Sequence, residues 1–368
     1  MIIFYSGEPS NWWTDTPEIL FIGIDLMLSY AHLSEHKSRG TQKKRFENNM
    51  TKAEPMAIDT KRIRRIVEDK EEATVGCINS HFLDSGSFTL RTKATEYAAA
   101  NGVEDYAFYE TEEFWKYMND YAAFIKEHAV AIDHYANVDV IPNAELTWRN
   151  QEYLEDRHGL DPVPVVHFGS DLKWLHHYIN EGYKYIALGG LVAAGGFGHR
   201  GSAKEWLDAC FNIICDTKDR LPKVRVHGFG LAVGPLTIRY PWYSIDSSAW
   251  TKQGGFGQIV VPHKRKGNWV YSKPSPYAVN ISNEGRKLPD HFLKMSKQER
   301  NIIKEWLKEI DMPLGKTGSD GEVLKKGVTN WHKYRRAACL LFYEKLRESI
   351  PEWPWPFKAK TKSKGFGL

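Results

Sequence analysis

The chain has 368 residues, of which 42% are hydrophobic and 13% aromatic, with four cysteines and a formal net charge of +4. Such a composition supports a substantial buried core and excludes general disorder. No apolar stretch reaches the ~20 residues a membrane span requires, and no basic segment precedes the short apolar run at the amino terminus, so a soluble, unexported, cytoplasmic protein is expected.

In chain order, runs of strand character occur at IIFYSG, EILFIGIDLMLSY, TVGCINSHFLDSG, NVDVIPN, PVPVVHFG, YKYIALGG, KVRVHGFG and WYSIDSSAW. Helix-like segments lie between them, clearest at Thr111 to Asp133, Ser170 to Tyr183 and Ser202 to Asp219, with apolar residues at helical spacing and Ser or Thr near their starts. Strands alternating with helices imply parallel pairing. Eight such strands without a Gly-rich phosphate loop after the first fit a (β/α)8 TIM-type barrel over residues 1–265, with a basic insertion near 34–70. Residues 266–368 read as a helical extension, with helices around NIIKEWLKEI and NWHKYRRAACLLFYEKLRES, ending in a basic tail. Cys77, Cys210, Cys215 and Cys339 match neither a disulfide framework nor a zinc spacing, so no metal is expected and the thiols read as reduced core residues.

A barrel places functional residues where strands stop and loops begin. Asp84 follows SHFL, Asn143 follows VDVIP, His167 ends VPVV, Gly189 and Gly190 follow YIAL, His227 and Gly228 follow VRV, and Asp246 follows YSI. Any one of these is ordinary strand punctuation. Two carboxylates, two histidines and a double glycine on one rim suggest chemistry.

Positive charge is clustered: His36 to Lys52, which holds Lys43, Lys44 and Arg45; Lys61 to Arg65; His263 to Trp269, which holds Lys264, Arg265 and Lys266; and the tail. Each cluster alone can be solvated surface. Interleaved with Trp and Phe, they point to phosphate contacts and base stacking.

LDSGSF, ALGGL, VHGFG and YSIDSSAW occur in the order of the landmarks of the queuine and archaeosine tRNA-guanine transglycosylase superfamily. Within it the chain most resembles the phage-type enzymes that insert 7-deazaguanines into DNA. The resemblance spans roughly residues 1–265 and is specific only as an ordered set of motifs. It implies Asp246 as nucleophile and Asp84 as the acid/base carboxylate, with Ser85, Gly189, Gly190 and Leu191 at the purine edge. His167 stands where the family has a Gln, and His227 stands beside the stretch that packs on the base; the plain alternative for both is a satisfied rim histidine.

Two departures follow. The tRNA enzymes carry a recognition Asp after strand four where Asn143 stands here, and they carry a Cys-rich zinc subdomain that one cysteine beyond Asp246 cannot build. The resemblance therefore implies a cofactor-independent DNA-guanine transglycosylase, with DNA and a free 7-deazaguanine base as partners, in the cytoplasm of a host cell if phage-encoded. A zinc-free tRNA-guanine transglycosylase and a non-catalytic nucleic-acid-binding barrel are the alternatives.

Overall fold

The computed structural model describes residues 1–6, 24–31, 78–130, 132–191, 200–231, 235–271 and 277–358. The basic insertion with Lys43, Lys44 and Arg45, and the tail beyond residue 358, lie outside the described residues. Eight strands form one parallel sheet: β1 (Ile2–Tyr5), β2 (Ile24–Ser29), β3 (Ile78–Asp84), β4 (His134–Tyr135), β5 (Val165–His167), β6 (Tyr185–Gly189), β7 (Arg225–Gly228) and β8 (Ser244–Ser247). Their order is β4-β3-β2-β1-β8-β7-β6-β5. Between them run α1 (Ser87–Asn101), α2 (Glu112–Glu127), α3 (Ala144–Glu152), α4 (Lys173–Asn180), α5 (Arg200–Ile214) and α6 (Pro235–Arg239).

The outermost strands of this order, β4 and β5, share no ladder. One parallel bridge, Ala136 to Val163, links the segments beside them, with the Asn137 N–H donating to the Val163 carbonyl at 3.0 Å. The sheet is thus curled, and the complete closure expected of a TIM-type barrel is not formed as a strand ladder. The reason lies in NVDVIPN, where the sequence predicts the fourth strand but β4 ends just before it. Its backbone is satisfied by side chains of α3: the Val140 N–H donates to Thr147 Oγ1 at 2.9 Å, and Asn150 Nδ2 donates to the Val138 carbonyl at 2.7 Å. Backbone groups paired in this way no longer need a neighbouring strand.

Strand periodicity separates the two faces of the sheet. Phe4, Met27, Phe82, Ala136, Val163, Val165 and Ala187 fill the concave side of the sheet. Ile3, Tyr5, Leu26, Val166, Ile186, Leu188, Val226 and Ile245 face outward into a larger cluster beneath the helices. Phe4 and Phe82 are fully buried and meet edge-to-face with centroids 5.4 Å apart; a buried side chain of this size contributes roughly 1.5–3 kcal/mol.

After β8 the chain forms α7 (Ala249–Gly255), β9 (Gln258–Val261), the hairpin β10 (His263–Arg265) and β11 (Asn268–Val270), β12 (Tyr277–Asn280), α8 (Lys297–Glu309), the short pair β13 (Lys316–Thr317) and β14 (Val323–Lys325), and α9 (His332–Ser349). Lys266 and Gly267 turn the hairpin with φ of 47° and 84°, the double positive φ of a tight two-residue turn. A boundary at residue 265 therefore falls inside the hairpin. The carboxyl-terminal region shares the outer core, since Val260, Trp306 and Phe342 belong to the same cluster as Ile3 and Tyr5. The Tyr5 hydroxyl donates to Glu344 Oε1 at 2.6 Å within this contact, tying α9 to β1. Cys210, Cys215 and Cys339 are buried free thiols. Among the described residues no helix is long and apolar enough to cross a membrane.

Candidate active site

Because all eight strands are parallel, their carboxyl ends share one face. There β3, the segment after β4, and β8 supply three carboxylates. Asp84 is the last residue of β3 and aligns with Ser29 at the end of β2. Burial, then the charges of Asp139 and Asp246, push its carboxyl up to about 7. A side-chain hydrogen bond from Ser29, and then the Gly86 N–H donating to Oδ2 at 3.3 Å, oppose that rise. Asp84 is therefore a proton carrier near neutral pH, for two physical reasons: a poor dielectric and like charge.

The turn that follows Asp84 is tight. Gly86 has φ of 80°, and a Cβ there would lie 2.4 Å from the Ala31 Cβ and 2.9 Å from the Tyr117 hydroxyl, so glycine is required twice over. Ser85 is fully buried, its Oγ is 2.9 Å from Ser87 Oγ, and its carbonyl accepts from Tyr117 at 2.5 Å. These contacts hold the turn in place. Phe88, at the start of α1, is 70% exposed, four residues from the half-buried Asp84.

Asp246 lies within β8 rather than just after it, in register with Phe4 of β1. It is 8% exposed. Its Oδ1 accepts from the Gly230 N–H at 2.6 Å and lies 3.6 Å from His227 Nε2. A strand interior can hold this carboxylate because β7 and its loop bring donors to it.

Asn143 caps a helix, and Asp139, which the sequence does not single out, is the carboxylate of this segment whose charge reaches Asp84. Asn143 is the N-cap of α3, its Oδ1 accepting from the Leu146 N–H at 2.9 Å. Asp139, four residues earlier, is the group whose charge reaches Asp84. It bonds His167 Nε2 at 2.5 Å, and the imidazole is almost fully buried. The spacing of strand character led to Asn143; the signal for Asp139 was a carboxylate inside an otherwise apolar VDVI, which the misplaced end of β4 concealed.

The remaining residues divide between the two faces of the sheet. Gly189 ends β6, and a Cβ there would lie 3.5 Å from the His167 ring; Gly190 has φ of 75° and a Cβ would meet the Phe168 N–H at 3.2 Å. Leu191 is buried in the outer core. Gly228 also faces outward, where a Cβ would lie 2.3 Å from Leu231 and 3.1 Å from Trp242, so packing accounts for this glycine. His227 is fully buried and stacks on Phe82 with centroids 4.7 Å apart. Lys264 is ion-paired with Glu305 at 2.5 Å and lies over the Trp269 ring, whereas Arg265 and Lys266 are exposed at the hairpin tip.

A scan of protein-family models and a search of curated proteins found no match to the chain. Among the described residues no group of three or more His, Cys, Asp or Glu is arranged to hold a metal ion. What the arrangement offers is a carboxyl that carries a proton near neutrality, Asp84, and across the same face a second carboxylate, Asp246, held by a backbone N–H. Two carboxyl groups in unlike surroundings suit displacement at a glycosidic carbon.

Proposed function

We propose that the chain is a base-exchange transglycosylase that replaces guanine in DNA with a 7-deazaguanine, on a curled sheet that acts as a (β/α)8 barrel joined at the Ala136–Val163 bridge. The observation that carries this reading is the contrast between Asp84, raised to about 7 by burial and like charge, and Asp246, anchored by the Gly230 N–H at 2.6 Å. Asp246 attacks C1′ as the bond from C1′ to guanine N9 breaks, and protonated Asp84 supplies the proton to the departing base. The glycosyl ester holds the sugar while bases exchange. Asp84, now a carboxylate, takes the proton from the incoming base, whose N9 attacks C1′ and releases Asp246. Atoms and charges balance with no redox partner.

The target guanine has to leave the stack, at a cost of a few kcal/mol, to reach carboxylates recessed at the strand ends. Exposed Phe88 offers a face for the flipped base, Asp139 with His167 offers acceptor and donor groups for its edge, and Arg265 and Lys266 offer contacts to phosphates. The region after Asp246, which carries a basic hairpin with exposed Arg265 and Lys266, is the reason to prefer DNA to tRNA as substrate.

The test is nucleoside mass spectrometry after incubating the protein with a panel of 7-deazaguanines and either DNA or tRNA. A 7-deaza-2′-deoxyguanosine in the DNA arm supports the reading. Exchange only in tRNA would move the substrate to RNA, and exchange in neither arm with every base in the panel would remove the enzymatic reading.

A further inference from the structure

Behind Asp246 runs a line of polar side chains, from half-buried Tyr185 to fully buried Ser244 and His227, that the proposed reaction does not use. Tyr185 on β6 places its hydroxyl 2.5 Å from Ser244 Oγ on β8, and Ser244 Oγ lies 2.7 Å from His227 Nδ1 on β7. The other ring nitrogen, Nε2, has no hydrogen-bond partner and points toward Asp246 Oδ1 at 3.6 Å. Ser244 and His227 are fully buried, and Phe82 and Phe229 cover the imidazole, with ring centroids 4.7 and 4.5 Å away.

Burial pushes the His227 pKa below its ordinary value, although Asp246 works against the shift, so near neutral pH the ring carries one proton and its place must be assigned. If Nδ1 held it, Nδ1–H would donate to Ser244, and the Nε2 lone pair would face a carboxylate oxygen with no proton between them. The opposite polarity has no such conflict. Tyr185 donates to Ser244, Ser244 donates to Nδ1, and Nε2–H faces Asp246. We propose that Tyr185 and Ser244 are positioning residues that fix His227 as its Nε2–H tautomer, and that this N–H orients Asp246 and stabilises its charge as it leaves C1′. The second half of the proposal rests on Asp246 being the nucleophile; the first half does not.

Two measurements test it separately. With 15N-labelled histidine in the full chain, and His227 assigned by loss of its signals in His227→Gln, nitrogen–proton correlation spectra near pH 7.5 are expected to show a protonated Nε2 and an unprotonated Nδ1. In Ser244→Ala the ring loses its fixed partner, and the Nδ1–H form is expected to appear beside the first. A protonated Nδ1 in the wild type, or an Nε2–H form left undisturbed in Ser244→Ala, overturns the proposal. The second measurement is kinetic. His227→Phe keeps the ring stack but removes the donor, so kcat for base exchange is expected to fall about 10²-fold with the KM for DNA within twofold. His227→Gln returns an N–H near the Nε2 position and is expected to recover a substantial part of that loss. A wild-type kcat in His227→Phe, or no recovery in a folded His227→Gln, removes the catalytic half. If the wild type exchanges no base at all, the proposed function fails while the tautomer assignment stands on its spectrum.

Discussion

The two sides of the strand-end face use the same residue type in opposite ways. On the β3–β4 side, Asp84 and Asp139 are near enough for like charge to add to burial and raise Asp84 to about 7. On the β7–β8 side, Asp246 meets a backbone N–H and an imidazole, both available as donors. The difference teaches that chemical role follows the neighbours each strand brings: crowding carboxylates makes an acid, and surrounding one with donors makes a nucleophile or a structural anion. Replacing one carboxylate at a time separates these roles.

Asp246→Asn should have the largest effect. The amide keeps the shape and can still accept from Gly230, but it cannot form the ester with C1′. The variant is expected to bind DNA while giving no denaturation-resistant adduct on a gel and no detectable exchange. Survival of the adduct would make Asp84 the attacking group and reverse the comparison.

Asp84→Asn should cost on the order of 10²- to 10⁴-fold in exchange, the range for a lost general acid/base, with DNA affinity retained. It carries a second signature in stability. In the unfolded chain an Asp titrates near 3.9, and in the folded protein Asp84 does so at about 7. Below pH 4 both states hold the proton and there is no penalty. As pH rises from 4 to 7 the unfolded state ionises first, so the native aspartate loses stability and the Asn variant does not. Asp84→Asn should therefore unfold at higher denaturant than the wild type by about 2–4 kcal/mol at pH 8, with the gain vanishing toward pH 4. Equal stability across that range would show that Asp84 is not held as a buried acid. A variant that is less active and more stable is what a strained functional group predicts.

Much of this site is readable in the sequence because strand periodicity and turn chemistry are local. LDSGSF announces a strand end and a turn that only glycine permits at Gly86, and VHGFG and YSIDS place His227 and Asp246 on adjacent strands. The fourth strand is misread because its partners are not local. The backbone of Val138 and Val140 is satisfied by Thr147 and Asn150 from α3, so the strand stops early, and the carboxylate of this segment whose charge reaches Asp84 is Asp139. Asn143, expected at the base edge, has the other common use of its side chain, a helix cap. The pairing of Tyr185 with Ser244 lies across 59 residues and is invisible to any spacing argument.

Asp139→Asn sharpens the crowded side without removing its acid. Deleting that charge takes away the second cause of the raised Asp84 carboxyl, after burial. The limb of the kcat/KM profile that follows Asp84 should move to lower pH, and at pH 7.5, where less acid remains protonated, exchange should fall roughly 3- to 10-fold. A limb that moves to higher pH would mean that the two carboxylates do not repel, and that Asp139 acts through His167 alone.

The smallest effect should come from the hairpin, whose Lys264 and Trp269 meet Glu305 and Trp306 of α8. Arg265 and Lys266 are exposed at its tip, whereas Lys264 is engaged by Glu305. If the tip meets phosphates, replacing Arg265 and Lys266 with Ala releases up to two contacts, each worth about 0.9 in the slope of log affinity against log salt. DNA binding should weaken to a similar degree for all sequences, the slope should flatten by as much as about 1.8, and kcat at saturating DNA should stay within twofold. Lys264→Ala should flatten it less, because its charge is already partly compensated by Glu305. A fall in kcat with an unchanged salt slope would place the hairpin with the chemistry of the strand ends rather than with the strand of DNA outside them, and no change in either quantity would show that the charge at its tip is ordinary solvated surface.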